Sequence, residues 1–374
     1  MVTTRDIARV VPKTELHLHL DGSLPESFIH RRATARCIEC PEQEHEIRLL
    51  LHEMKAAARV RDPNNAQRKG GNWGVFDFCN QFLQRAEELE EAAAAIVVRC
   101  AVLEVRVVEL RFCPALHVLE GLTAAAAVEA VIRGIERALS PAQRGGVIVC
   151  GLRSHEREAV LEMAQLCTRF RRETGVGVVG FDLAGDEGSY PLRLHRDAIE
   201  YCVAEGVPVT VHAGEWPGTS ANVALALECG VTRIGHGWGM ATDPELMARV
   251  AASNVLVEVC LTSNVKPGAG RGWLESYGAH PVRAMYDAGV CIALSSDNMT
   301  LSGDAERAAD AEAELVRLVD LCGFSWAEAR QILLNGVRGA FCVPTAERDD
   351  FVGEFERALD AVLASAGAFS RPKA

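Results

Sequence analysis

The chain is organised around one stretch near its start, Thr14-Glu-Leu-His-Leu-His-Leu-Asp-Gly-Ser-Leu24. On an extended strand, His17 and His19 project from one face, and the leucines beside them fill the other. The strand ends at Asp21-Gly22, where the chain turns. Two imidazoles aimed at one point indicate a metal site, although two half-buried histidines hydrogen-bonded to their neighbours give the same pattern. Other parts of the sequence are needed to distinguish these interpretations.

Composition limits the classes of protein that the chain can belong to. With 374 residues, 49% hydrophobic and 24% charged, it can bury a large core as one α/β domain or as two ordinary ones. A net charge of −12 and the lack of a basic stripe with interleaved aromatic residues argue against a nucleic-acid partner. No apolar run reaches the roughly 18 residues of a membrane-spanning helix, and the first residues lack a signal-peptide core. We therefore expect a cytoplasmic protein without a membrane partner.

Cysteine usage agrees with a reducing compartment. The chain has 13 cysteines, an odd number, and most of them stand singly in apolar runs, which is typical of buried free thiols. Cys37-Ile-Glu-Cys40 forms a single Cys-x-x-Cys pair, whereas a structural zinc site needs a second pair or histidines at matching spacing. We interpret this pair as a surface feature without function.

Short apolar, β-branched runs alternate with longer amphipathic runs along the chain. Eight runs are predicted to be strands: the opening run that ends at Asp21, and then 107–113, 147–153, 177–183, 207–212, 232–235, 255–261 and 291–294. Nearly continuous apolar strands that alternate with helices favour a parallel (β/α)8 TIM barrel over an open sheet. We expect one domain over 1–374, with the barrel core at about 12–345 and a C-terminal helix and tail at 346–374.

The first βα connection is long enough to carry extra helices. Residues 25–54 are predicted to be helical with a turn near Cys40 and Pro41, and apolar spacing predicts one helix over 76–103. Residues 56–74 are polar and rich in glycine and asparagine, which is typical of a loop. With Trp73 near its end, this loop is either a lid over a pocket or a surface insertion.

The barrel interpretation requires chemically capable residues at the carboxyl ends of the strands, where active sites in this fold lie. Polar residues do follow six of the predicted strands, in the segments 19–21, 182–187, 212–215, 235–237, 262–264 and 296–298. Any one of these could be a turn or a helix cap. Six together favour the metal-site interpretation, because caps do not require histidine.

Ligand preferences select four of these side chains for one metal ion. His17, His19, His212 and Asp297 form a nitrogen-rich set with one carboxylate, which suits one Zn²⁺ per chain with a position left open for water. Zinc lowers the pKa of its bound water to about 7. Glu215, on the same loop as His212, is then a candidate general acid, and His236 a candidate for holding the hydroxide.

Five motifs in order resemble those of the adenosine deaminase family. They are Pro12-Lys-Thr-Glu-Leu-His-Leu-His-Leu-Asp-Gly22, Phe181-Asp-Leu-Ala-Gly-Asp-Glu187, Thr210-Val-His-Ala-Gly-Glu215, Arg233-Ile-Gly-His-Gly237 and Leu294-Ser-Ser-Asp297. The resemblance implies hydrolytic conversion of adenosine and 2′-deoxyadenosine to inosine and 2′-deoxyinosine, with release of ammonia, in purine salvage. It implies that Glu215 protonates the purine ring nitrogen N1, that His236 orients the attacking hydroxide, and that Asp297 is both ligand and acceptor of the water proton.

The same resemblance implies the substrate contacts. Asp21 matches the position that meets the ribose hydroxyl, the backbone of Gly185 meets ring nitrogen N3, and His19 lines the substrate site besides serving as a ligand. The resemblance also implies that relatives acting on free adenine usually have Glu in place of Asp21 and a different sequence where Asp182-Leu-Ala-Gly185 stands here. These two differences favour adenosine as the substrate. Asn298 stands where animal members have a second aspartate; its amide can donate a hydrogen bond to unprotonated N7. The combination of Cys260-Leu-Thr-Ser-Asn-Val265 with Ser296-Asp-Asn298 resembles a bacterial branch of the family.

Other functions remain open at this point. A deaminase of another 6-aminopurine, such as adenine, an N6-substituted adenine nucleotide or a modified nucleoside, would use the same metal set. A non-catalytic binding barrel is a further alternative. The His-x-Glu and Pro-Cys-x-x-Cys signature of the nucleobase-editing zinc deaminases is absent from the sequence. The sequence carries no signal for the oligomeric state.

Overall fold

The computed structural model describes residues 2–61, 73–172, 175–265, 274–303 and 309–368. Every predicted strand is present, with ends that differ from the prediction by a few residues. The strands are β1 Lys13–His19, β2 Val105–Phe112, β3 Arg144–Leu152, β4 Val178–Ala184, β5 Thr210–Ala213, β6 Arg233–His236, β7 Leu256–Val259 and β8 Cys291–Leu294. Strands β1 to β4 pair in parallel in sequence order, and so do β5 to β8.

Backbone bridges join these two groups of four strands into a closed barrel. Between β4 and β5, Phe181 pairs with Val209. Between β8 and β1, Leu18 pairs with Asp297, the His19 N–H donates to the Asp297 carbonyl at 2.8 Å, and the Asp297 N–H donates to the His17 carbonyl at 3.0 Å. The predicted (β/α)8 fold is therefore confirmed, and Asp297 lies at one of the two junctions.

Burial on both faces explains why the strands read as continuous apolar runs. Leu16, Leu18 and Leu20 of the opening stretch are fully buried between the barrel and the surrounding helices. Burying one such leucine side chain contributes about 1.5–3 kcal/mol relative to leaving it exposed. The alternate residues of β1, which include His17 and His19, therefore face the barrel interior.

Helices cover the outside of the barrel, and three of them lie in the first connection in addition to the crossover helix, as predicted. The helices are α1 Thr4–Val10, α2 Glu26–Ala35, α3 Glu46–Arg61, α4 Trp73–Asn80, α5 Ala86–Val102, α6 Ala124–Ala138, α7 Arg157–Phe170, α8 Arg196–Ala204, α9 Ser220–Glu228, α10 Pro244–Ala252, α11 Leu261–Asn264, α12 Val282–Asp287, α13 Ala311–Leu321, α14 Trp326–Gly339 and α15 Arg348–Ser365. Among the described residues, no helix combines the length and apolar character needed to cross a membrane.

The first connection differs from the sequence prediction in two places. The single helix predicted over 76–103 is divided, because α4 ends at Asn80 and α5 begins at Ala86. The Glu88 carboxylate accepts hydrogen bonds from the backbone N–H groups of Gln84 and Arg85, at 3.0 and 3.1 Å, and so caps a new helix start. In addition, α3 continues to Arg61, into the predicted 56–74 loop. Its last two residues, Trp73 and Gly74, begin α4. The remaining residues, 62–72, lie outside the described residues.

All 13 cysteines fall within the described residues, and all are free thiols, as expected. Cys37 is exposed and Cys40 is half-buried. Most of the others are fully buried in the hydrophobic core.

A buried histidine outside the barrel interior makes the stability of the fold depend on pH. His117 follows β2, is fully buried, and donates from Nδ1 to the Leu83 carbonyl at 3.0 Å. Burial lowers the pKa of His117 from 6.5 to about 4, so unfolding takes up a proton between these values. Stability is retained above pH 6.5 and is lost as the pH falls toward 4, by about 3 kcal/mol over that window.

We therefore expect His117→Gln to weaken the acid sensitivity of the fold. The free energy of unfolding in urea, measured at several values between pH 6.5 and 4, should fall less steeply in His117→Gln than in the unmodified protein. The comparison isolates one group, because every other histidine titrates equally in both proteins. Identical pH slopes in the two proteins would contradict the assignment.

Candidate metal centre and active site

Four side chains converge at the carboxyl end of the barrel. His17 and His19 of β1, His212 of β5 and Asp297 beyond β8 each offer one ligand atom, and these atoms lie within 4.8 Å of one another. The Nε2 atoms of His19 and His212 are 3.1 Å apart. Asp297 Oδ1 lies 3.4 Å from His17 Nε2 and 3.3 Å from His19 Nε2. The structure thus brings together all four residues that the sequence nominated as ligands.

The chemistry of this cluster fits a metal ion. His17 Nε2 is buried and, within the described parts of the chain, has no hydrogen-bond partner. A buried imidazole nitrogen without a partner is costly unless a ligand or ion uses its lone pair. Three imidazole nitrogens and one carboxylate oxygen form a donor set suited to a catalytic divalent metal such as zinc.

Two buried carboxylates orient two of the candidate histidine ligands from the side opposite the cluster. His17 Nδ1 donates to Glu258 Oε2 at 2.8 Å, and His212 Nδ1 lies 3.1 Å from Asp182 Oδ2. A proton held on Nδ1 leaves the Nε2 lone pair free to face the cluster. Such carboxylate–histidine pairs fix ring orientation and raise the basicity of a ligand.

Two buried arginines hold these carboxylates ionised inside the barrel. Arg111 bridges Asp182 and Glu258, at 2.9 and 2.8 Å. Arg233 bridges Glu258 and Glu109, each at 2.7 Å. Burial alone would favour the neutral acid, but the two guanidinium groups hold the pKa of Glu258 below its ordinary value. Glu258 therefore stays a charged acceptor for His17 over the physiological pH range.

The backbone is strained at two residues of the site. His236 has φ 65° and Asp297 has φ 63°, in the left-handed region that side chains other than glycine rarely adopt. The bridges to β1 hold Asp297 in this conformation from both its N–H and its carbonyl. Strained backbone of this kind concentrates at functional sites.

A buried acid also fixes the residue before Asp297. The Glu15 carboxyl group accepts a hydrogen bond from the Ser296 N–H at 2.9 Å and contacts the Ser296 hydroxyl. Burial raises the pKa of Glu15 to about 8. Glu15 lies on β1 beside His17 and His19, so one strand supplies two candidate ligands and anchors the segment that supplies a third.

His236 lies beside the cluster because of the register of β5 and β6. His212 pairs with Gly235, and Ala213 pairs with His236. A side chain at Gly235 would place its Cβ 2.7 Å from Cε1 of His17, so only glycine leaves room for the ligand ring. Burial lowers the pKa of His236 well below its ordinary value, and its ring is therefore neutral.

A buried carboxylate holds the loop that carries Glu215. Glu187 accepts hydrogen bonds from the backbone N–H groups of Gly214 and Glu215, each at 2.8 Å, and from Asn222 Nδ2 at 2.9 Å. The Glu215 side chain remains 23% exposed, with Oε1 3.8 Å from His236 Nε2. The hydrogen bonds to Glu187 therefore fix the backbone of Glu215 and leave its side chain facing the cleft.

The residues nominated for substrate contact follow the strand ends. Asp21 comes shortly after β1, and burial raises its pKa to about 6. Gly185 directly follows β4 and has φ 102°. Asn298 packs against Gly22, where a Cβ would lie 1.6 Å from Asn298 Oδ1, and donates from Nδ2 to Ser302 at 3.3 Å. Their contacts with a substrate stay predictions.

Several residues of the site were not found from the sequence. Glu258, Arg111, Arg233 and Glu109 belong to the strands themselves and not to the polar segments that follow the strands. A signal was nonetheless present, since a fully buried strand that carries a charged residue, as in Val257-Glu-Val259, needs a buried partner for that charge.

Comparisons with known proteins identify the family of the chain. The adenosine deaminase family model matches residues 12–356. Adenosine deaminase of Enterococcus faecalis is 31% identical over 341 residues, which cover 91% of this chain and 95% of that protein.

Solved structures share the fold. An amidohydrolase of Burkholderia ambifaria with bound zinc superposes with a TM-score of 0.79 at 24% identity, covering 97% of this chain and 96% of that one. An adenine deaminase of Arthrobacter aurescens gives a TM-score of 0.74 at 23% identity, covering 93% of this chain and 98% of that one. At these identities the likeness concerns the fold and does not discriminate between substrates. The family match, together with the relative from Enterococcus, shows that the chain belongs to the adenosine deaminase family of hydrolytic deaminases.

Proposed function

We propose that the chain catalyses zinc-dependent hydrolytic deamination of adenosine and 2′-deoxyadenosine to inosine and 2′-deoxyinosine in purine salvage, with release of ammonia. The observation that carries this proposal is the convergence of four ligand atoms within 4.8 Å beside an acid and a neutral imidazole. His17, His19, His212 and Asp297 would hold one zinc ion. When bound, zinc supplies Lewis-acid activation of water at neutral pH.

Two side chains then carry the proton transfers, and a third orients the nucleophile. Glu215, partly exposed on its clamped loop, donates a proton to ring nitrogen N1 of the purine. His236 orients the attacking oxygen. Asp297 accepts the proton that the water gives up. The oxygen adds to the ring carbon that bears the amino group. Asp297 then passes the water proton to the amino group, which leaves as ammonia, and the remaining hydroxyl proton of the adduct returns to Glu215 as the carbonyl forms.

Asp21 supports a nucleoside rather than a free base as substrate. Its carboxyl group is buried, and a buried carboxyl group gains from a hydroxyl partner such as that of ribose. Gly185 would meet N3 through its backbone, His19 would line the site, and the Asn298 amide would meet N7. Asn298 also keeps the second candidate open, a deaminase of another 6-aminopurine, because an amide replaces the acid found in animal relatives.

We further propose that residues 1–374 act as one cytoplasmic domain. The family match from 12 to 356 spans nearly the whole chain. The free thiols buried in the core fit a reducing compartment.

The proposed substrate predicts a clear ranking in a purine panel. Ammonia release and ultraviolet absorbance are measured with adenosine, 2′-deoxyadenosine, adenine and N6-methyl-AMP. We expect kcat/KM for both nucleosides to exceed that for adenine by at least about 100-fold, because a site built to bond a hydroxyl rejects an analogue that lacks it. Asp21→Glu should lower the ratio of kcat/KM for the nucleosides to kcat/KM for adenine.

Two results would contradict the proposed substrate. A kcat/KM for adenine or N6-methyl-AMP that exceeds the value for adenosine would favour the second candidate, a deaminase of another 6-aminopurine. Stoichiometric zinc without turnover of any member of the panel would indicate a non-catalytic barrel.

A further inference from the structure

A buried row of hydrogen bonds runs from the start of α12 to His236. The Val282 N–H donates to Nδ1 of His280 at 3.0 Å. Nε2 of His280 lies 3.3 Å from Oδ1 of Asn264, and Nδ2 of Asn264 lies 3.1 Å from Nδ1 of His236. His280, Asn264 and His236 are all buried. The row therefore ends on the imidazole that faces the metal cluster.

The direction of every bond in this row follows from its first member. A backbone N–H can only donate, so Nδ1 of His280 accepts and the ring proton resides on Nε2. That proton is donated to Asn264 Oδ1, which turns the Asn264 amide nitrogen toward His236. The amide nitrogen can only donate, so Nδ1 of His236 accepts and its ring proton resides on Nε2.

We propose that Asn264 and His280 are positioning residues that fix His236 as the Nε2–H tautomer, so that His236 offers a hydrogen-bond donor, and not a base, to the attacking oxygen. This inference rests on the proposed function for its consequence, but the tautomer itself does not depend on the identity of the substrate. An imidazolium at His236 is excluded by the same geometry, since a protonated Nδ1 cannot accept from the Asn264 amide.

The fixed tautomer determines which group in the cleft can accept the proton of the attacking water. An N–H group aimed at the attacking oxygen stabilises its negative charge as it forms, which is the action of a preorganised oxyanion donor. The same nitrogen cannot remove a proton from water. The water proton therefore goes to a carboxylate, and Asp297 is the one assigned to it above.

Two substitutions distinguish the effect of hydrogen-bond direction along the row from the effect of side-chain shape. Asn264→Asp keeps the shape but replaces the donor by an acceptor, which draws a proton onto Nδ1 of His236. His280→Gln is the matched control, because a carboxamide can accept from the Val282 N–H and donate to Asn264.

The tautomer is read directly by nitrogen-15 NMR of the histidine rings in the zinc-loaded protein. The His236 signals are assigned by their loss in His236→Gln. We expect the bound proton on Nε2 in the unmodified protein and in His280→Gln, and a proton on Nδ1 in Asn264→Asp. We also expect kcat of Asn264→Asp to fall by about 100-fold, as on loss of one oxyanion donor, with KM much less affected.

The proposal is overturned by a ring proton on Nδ1 of His236 in the unmodified protein, or by an Asn264→Asp variant that retains kcat. If Asn264→Asp does not fold, the NMR spectrum of the unmodified protein still decides the tautomer. If no purine is deaminated, the proposed function fails, while the spectrum continues to test the row of hydrogen bonds.

Discussion

Glu215→Gln is expected to lower kcat for adenosine by about 1,000-fold, within the range that proton transfer by a positioned side chain contributes, and to leave the metal content unchanged. Glutamine has the same shape as glutamate but no acidic proton to give to N1. The loop should keep its conformation, because Glu187 binds the backbone N–H groups of Gly214 and Glu215 and not the Glu215 side chain.

This prediction is checked by ammonia release and by metal analysis of the same preparation. Glu205→Gln is a suitable control, because Glu205 is exposed and follows α8 at the opposite end of the barrel. It removes the same charge, and we expect it to keep full activity. Full activity in Glu215→Gln would refute the role of Glu215 as the proton donor.

His17→Ala is expected to abolish metal binding and, with it, activity. His17 is fully buried, so no water can easily replace its imidazole in the same position. Its loss also leaves Glu258 without one of its partners, and an unsatisfied buried charge destabilises the arrangement around it. Glu215→Gln and His17→Ala therefore test different roles, because the first removes the proton donor and the second removes the metal ion.

Zinc content after dialysis is the measurement that checks His17→Ala. His45→Ala is the matched control, because His45 is exposed, and we expect it to retain one zinc ion per chain. The melting temperature of the unmodified protein should rise with added zinc, because an ion that binds only the folded state stabilises it. His17→Ala should lose this dependence. Full zinc occupancy in His17→Ala would refute the ligand assignment.

The fold and the cluster of candidate ligands were accessible from the sequence because both depend on local patterns. Strands buried on both faces leave continuous apolar runs, and a histidine at such a strand end has few structural explanations. His17 and His19 share a face because side chains alternate along a strand. The parallel barrel then brings distant strand ends such as His212 and Asp297 to the same rim.

The supporting network was not accessible in the same way, because it depends on pairing across the barrel. Glu258 and Arg111 are far apart in sequence, and nothing local identifies them as partners. His280 and Asn264 meet through a single hydrogen bond, which has no signature in the sequence. The division between α4 and α5 was missed because one carboxylate, Glu88, overrides a helical spacing that continues through the break.

The left-handed backbone at His236 and Asp297 sets stability and catalysis against each other. Strain of this kind costs about 1–3 kcal/mol at each residue, and glycine would relieve it at both. Selection for heat tolerance alone, applied to the metal-free protein, would therefore favour glycine at the two positions where the proposed chemistry needs an imidazole and a carboxylate. In laboratory evolution, a library screened for stability before activity would therefore lose active variants first through substitutions at these two positions.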